Sequence, residues 1–250
     1  MRPAVLMILI AWLGITPCIA ETPATPNQDA GHQAVFGRVV EFIGGRTADF
    51  ETSFNSRSRT RQVNGSVHFL LQQPNLFRID AATGRVSYTL VSDGQVMTIY
   101  NPRLKKYVEL AAPDSAAKGL GLITGLSSVQ SQLLRLIGVI QEVARGSERF
   151  AVTADGTAKV ADHQCNRFTL VEQTESGRYS ETWDVWLRQA DEPLPCKFTV
   201  KSSDGSSDDV QTSHFIWKNP KFSEESFVFL PPAGAEKVQS VGDLGFGPAL

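Results

Sequence analysis

Residues 74–102 read PNLFRIDAATGRVSYTLVSDGQVMTIYNP, and the fold follows from how these residues alternate. Phe77, Ile79 and Ala81 share one parity; so do Val86, Tyr88 and Leu90, and then Val96, Thr98 and Tyr100. A period of two is the signature of strands that bury one face. Asp93-Gly94 divides the second run from the third, and glycine supplies the positive φ that a tight hairpin needs. Pro102 ends the third run, because proline has no N–H to give a ladder. The stretch is therefore a three-stranded antiparallel meander.

Working outward, the pattern persists on both sides. Phe50, Thr52 and Phe54 alternate through a strand at 49–58, and Val67, Phe69 and Leu71 through one at 65–72. Arg57, Arg59 and Arg61 mark the turn between them, read as a solvated tip rather than a phosphate site. A further strand is expected at 104–110. The composition then shifts to glycine and small residues over 112–125, broken by Leu120, Leu122 and Ile123, which suits a mobile segment with apolar teeth. Two helices are expected. One, at 31–44, carries Ala34, Val35, Val39, Phe42 and Ile43 on one face and stops at Gly44-Gly45. The other starts at Ser127 or Ser128 and places Val129, Leu133, Leu136, Ile137, Ile140 and Val143 at helical spacing.

The second half returns to strands: 148–154, 158–163, 166–172, 180–188, 196–202, 210–218 and a last short one at 227–230. Turns are read at Asp155-Gly156, Ser176-Gly177 and Asp204-Gly205. Trp183 and Trp186 have opposite parity and so face opposite sides of their strand. A run of antiparallel strands without βαβ alternation gives a mainly β (α+β) fold. The sheet is large and curved. With two helices to cover one face, it is expected to form an unclosed barrel with an N-terminal helix and an inserted helical lid.

The first twenty residues read as an export signal: Arg2, an apolar run from Ala4 to Ile15 too short to span a bilayer, and a small-x-small site at Cys18-Ile19-Ala20. Cleavage there starts the mature chain at Glu21; the alternative is a lipid anchor at Cys18. Residues 21–30 read as a disordered leader, 31–240 as a single domain and 241–250 as a loose tail. Removing Arg2 leaves 23 basic residues against 26 acidic ones, a balance that argues against nucleic acid and against a polybasic membrane patch. Cys165 and Cys196 then remain, and two thiols in an exported chain read as one disulfide, with free thiols as the alternative. The loop-entropy account rates such a crosslink at roughly 3–4 kcal/mol.

The search for chemistry is negative. His32, His68, His163 and His214 are scattered without metal spacing, no serine sits in GxSxG, and Gly119–Gly125 lacks the Lys-Ser/Thr of a phosphate loop. No nucleophile, base and oxyanion donor assemble, so neither an enzyme nor a cofactor is implied. What rises above background is apolar surface. Phe54, Phe69, Phe77, Ile79, Tyr88 and Leu90 share the face of the sheet that a lid would cover, with Leu133 and Ile137 on the lid. They read either as the lining of a ligand cavity or as ordinary core.

The meander resembles that of the LolA-like superfamily of outer-membrane lipoprotein carriers. The matching marks are Pro74-Asn75-Leu76-Phe77, Val91-Ser92-Asp93-Gly94 and Tyr100-Asn101-Pro102. Phe227-Val228-Phe229 with Pro231-Pro232 and Gly234 resembles that superfamily's ending. The second half is more similar to a related family of predicted periplasmic proteins of unknown function: Asp162-His163 near Cys165, Trp183 with Trp186, Pro193-Leu194-Pro195-Cys196-Lys197, Trp217, and Pro231-Pro232-Ala233-Gly234-Ala235. The resemblance implies an unclosed barrel with a helical lid and a periplasmic, non-enzymatic role. The implied ligand is a lipid or lipoprotein acyl chain, with Phe77 and Ile79 at cavity-lining positions. A second implied role is an envelope regulator that binds a membrane protein partner. The chain departs at Gln73, where the carriers have the arginine that ties their lid.

Overall fold

The structure, a computed structural model, describes residues 28–45, 47–72, 74–84, 86–116, 118–119, 128–173, 180–203 and 208–246. The export signal, Gln73, the segment with Leu120, Leu122 and Ile123, and the turns read at Ser176-Gly177 and Asp204-Gly205 lie outside the described residues. Helix α1 spans Gln28–Gly45 and precedes β1 (Ala48–Arg57), β2 (Gln62–Gln72), β3 (Leu76–Thr83), β4 (Ser87–Asp93), β5 (Val96–Asn101) and β6 (Lys106–Ala111). Helix α2 (Ser128–Ala144) follows, then β7 (Phe150–Val160), β8 (His163–Glu172), β9 (Ser180–Arg188), β10 (Pro195–Ser203), β11 (Asp208–Lys218) and the short β12 (Glu236–Lys237). All twelve strands form one sheet, in the order β12-β6-β5-β4-β3-β2-β1-β11-β10-β9-β8-β7. Its pairs are antiparallel except β12 beside β6, and β12 and β7 are its two ends, so the sheet is unclosed.

The period of two in the sequence becomes rows of side chains across the sheet. One row runs Trp217, Phe50, Phe69, Ile79, Leu90, Ile99, Val108, each residue in register with the next. From Phe50 to Val108 every member is buried. An adjacent row runs Phe215, Thr52, Val67, Ala81, Tyr88, and on the other side Ala48, Leu71, Phe77, Ser92 and Met97 are aligned. Cross-strand apolar pairs of this kind are what fix the register.

The helices cover this concave face. Phe36 and Val39 of α1 and Leu136, Val139, Ile140 and Val143 of α2 are buried in the same core as the rows. Phe36 meets Phe168 of β8 edge-on at 5.2 Å, and Phe42 meets Trp217 of β11 at 6.1 Å. Trp183 lies in this core, whereas Trp186 lies with the disulfide on the opposite face, stacked under Lys197 at 4.5 Å and Arg167 at 5.4 Å. Cys165 and Cys196 are joined, so β8 and β10 are crosslinked past the strand between them.

Four expectations need correction. Asp155-Gly156 does not end a strand. Gly156 takes φ +81° inside β7 and the register shifts between Ala154 and Thr157, so the signal marks a bulge. Residues 227–230 are not a strand; a 3-10 turn at Glu224–Phe227 buries Phe227, and Phe229 packs against Tyr100 and Tyr107. The tail is held as far as Phe246. Leu244 is buried, its carbonyl accepts a 2.7 Å hydrogen bond from Asn101 Nδ2, and Phe246 lies edge-on to Tyr88. Helix α1 begins at Gln28, inside the segment expected to be a leader.

Candidate functional site

The site is built on β1, because β1 joins the two halves of the sheet. It pairs with β2 on one side and β11 on the other. Its inward-facing Phe50 is the centre of an aromatic floor, stacked on Phe69 with centroids 4.7 Å apart and tilted against Trp217 at 4.5 Å. Trp217 is fixed in turn by its indole N–H, which donates to the carbonyl of Pro195 at 2.7 Å. Above this floor the end of α1 contributes Phe42 and Ile43, and α2 contributes Leu136, Ile137 and Ile140.

Between floor and helices lies a cleft with about 550 Å³ of empty space, its open mouth included. Ala48, Leu71, Pro195 and Phe215 complete its wall. Every lining residue is apolar. The closed part is narrow, and only a small share of the space admits a water-sized sphere. A long apolar ligand would therefore enter by parting the helices from the sheet. Desolvation of such a wall favours hydrocarbon over any charged group.

Of the residues singled out from sequence, Phe69 and Ile137 line the cleft. Ile79 and Leu90 continue the row of Phe69 further across the sheet, and Phe77 continues that of Leu71; all three are fully buried. Tyr88 lies in the row of Phe215 and Thr52. Phe54 stands two residues along β1 from Thr52, with its ring over Gly65. The side chain of Leu133 lies outside the described residues. Phe42, Phe50, Phe215 and Trp217 were not singled out as site residues. Their signal was available: all are aromatics at inward positions of the helix or strands that border β1.

Residues 112–116 and 118–119 lie against the meander at its edge. The amide of Ala116 donates to the carbonyl of Pro74 at 3.2 Å, and Asn75 Nδ2 donates to the carbonyls of Gly94 and Pro113 at 3.1 Å each. Gly119 sits against the Phe77 ring. Arg78, the cation closest in sequence to the departure at Gln73, pairs with Asp80 at 2.8 Å along its own strand.

Residues 47–241 match the model of a family described as predicted periplasmic protein (DUF2092). The chain belongs to that family. No curated protein matches it. Among solved structures, it is similar to an uncharacterized conserved protein from Thermus thermophilus, at 12% identity and TM-score 0.46 over 83% of this chain and 98% of that one. A LolA superfamily protein from Nitrosomonas europaea matches at 10% identity and TM-score 0.34, over 79% of this chain and 97% of that one. The lipoprotein LppX from Mycobacterium tuberculosis matches at 13% identity and TM-score 0.41, over 78% and 98% of the two chains.

Proposed function

We propose that this DUF2092 protein is a periplasmic, non-enzymatic binding protein. It is exported by a signal cleaved after Ala20 and holds a lipid or lipoprotein acyl chain in the cleft between its two helices and β1, β2 and β11. The observation that carries this is the lining: aromatic and aliphatic side chains on every wall, with no charged side chain among them and the Trp217 N–H already bonded to Pro195. The sequence resemblance to lipoprotein carriers and the family's predicted periplasmic character point the same way. Each methylene moved from water into such a wall contributes roughly 0.8 kcal/mol, so a long chain offsets the cost of displacing the helices. Holding a chain for transfer and sensing its presence both use this one event.

The test is native mass spectrometry of the chain from Glu21, exported to a bacterial periplasm and purified without detergent. A bound mass released on denaturation and identified as an acyl lipid supports the proposal. An apo mass that persists after incubation with lipids overturns it and turns attention to a protein partner.

A further inference from the structure

Beyond the cleft, the inward face of β11 changes character. Trp217 and Phe215 line the cleft; the next two inward positions of the same strand are Ser213 and Gln211. Each two-residue step along a strand covers about 7 Å, so these polar groups follow directly from the aromatic floor. Ser213 is 1% exposed and Gln211 4% exposed. Among the described residues, neither Ser213 Oγ nor Gln211 Nε2 has a hydrogen-bond partner. In register, Ser213 is flanked by Phe54 and Phe198, which offer no acceptor, and Gln211 by Ser56 and Val200. Buried donors are nearly always paired, and leaving two adjacent ones without acceptors is costly.

We propose that Ser213 and Gln211 are the polar end of the binding site and receive the carbonyl oxygen of an acyl ester or amide whose chain lies in the cleft. This rests on reading the cleft as an acyl site. A Gln amide nitrogen only donates and a serine hydroxyl can donate, so the two donor atoms together can fill both lone pairs of one carbonyl oxygen. No cation stands beside them in register. A carboxylate or phosphate there would be a buried charge without a partner, whereas a neutral carbonyl is satisfied. The site therefore favours esterified or amidated acyl chains over bare hydrocarbon and over free fatty acid.

The probe is displacement of the apolar dye N-phenyl-1-naphthylamine from the full mature chain. Competitors are methyl laurate and dodecyl methyl ether, which match in length but differ in the carbonyl. The unmodified protein is expected to bind the ester about tenfold more tightly than the ether, as a net hydrogen bond or two provides. Ser213→Ala combined with Gln211→Met is expected to abolish that preference and leave the ether's affinity unchanged. Ser213→Ala alone reads the same loss in part if the double variant does not fold. Equal binding of ester and ether by the unmodified protein, or a preference that survives both substitutions, overturns the inference while dye binding still upholds the cleft. Failure of the dye to bind the unmodified protein overturns the cleft reading itself.

Discussion

Arg135 of α2 forms an ion pair with Glu181 of β9, whose side chain is only 2% exposed. Glu181 also accepts hydrogen bonds from Trp183 Nε1 at 3.1 Å and Ser202 Oγ at 3.0 Å, and the Arg135 guanidinium lies 5.7 Å from the centre of the Trp183 ring. The pair ties the inserted helix to the sheet on the side away from the cleft. Removing one member of a buried pair leaves an uncompensated charge. Arg135 is itself 41% exposed, which reduces the loss. Arg135→Met should cost about 2 kcal/mol by urea denaturation. It should also speed amide exchange within residues 128–144. Adding Glu181→Gln should restore most of the stability.

The cleft can be blocked without unfolding the protein. Ile137 is half-buried and lines the cleft from α2. Ile137→Glu places a carboxylate against an apolar wall when a chain is bound, but leaves it hydrated when the cleft is empty. Dye affinity should fall at least tenfold with the urea midpoint nearly unchanged. The same substitution at fully buried Ile79 should instead prevent folding, as loss of the cooperative urea transition would show.

Gly65 leaves no room for a side chain. A Cβ there would meet the Phe54 ring and stand 2.6 Å from the carbonyl oxygen of Ala82. The ring could turn, but the backbone oxygen belongs to the β2–β3 ladder and cannot yield cheaply. Gly65→Ala should destabilise the fold by about 1–3 kcal/mol, measured by thermal or urea unfolding.

Acid should weaken the outer face through Asp184. Burial alone would raise its pKa. The hydrogen bonds from Arg167 and Thr169, with the charges of Arg167 and Lys201, outweigh this and hold it below the usual 3.8. A carboxylate depressed in the folded state contributes stability that is complete above the unfolded value and lost as pH falls through the folded one. Stability should therefore decline as pH drops below about 4, and Asp184→Asn should be less stable at pH 7 and flatter below pH 4. Urea midpoints across pH 2–7 for both proteins are the measurement.

The disulfide is the remaining covalent constraint. Cys165 and Cys196 are 31 residues apart in sequence. Cys165→Ser with Cys196→Ser should lower stability by roughly 3–4 kcal/mol, and reductant should lower the unmodified protein to the same level.

The strands were readable because burial on one face imposes a period of two on Phe50–Phe54, Val67–Leu71 and Phe77–Ala81. The helices were readable from the periods of Val35–Ile43 and Leu136–Val143. What stayed hidden depended on contacts distant in sequence. Phe227 and Phe229 alternate like strand residues, but Phe227 is buried at the end of a 3-10 turn and Phe229 packs on Tyr100 and Tyr107. Glu181 shares the parity of Trp183, so a charge on the core face was visible; its partner on α2 was not. Phe77 and Ile79 stand out from the alternation of the meander, and the resemblance to the carriers puts them at cavity-lining positions. Phe50 and Trp217 bring the cleft together through the β1–β11 pairing, across 167 positions of sequence, and no local pattern announces such a pairing.

The most direct test of the account is photocrosslinking with a palmitoyl ester that carries a diazirine midway along its chain, followed by peptide mapping. An acyl chain held in the cleft gives adducts on peptides containing Phe50, Ile137 and Trp217, which are lost in Ile137→Glu. Labelling confined to the outer face of the sheet, or unaffected by Ile137→Glu, would contradict it.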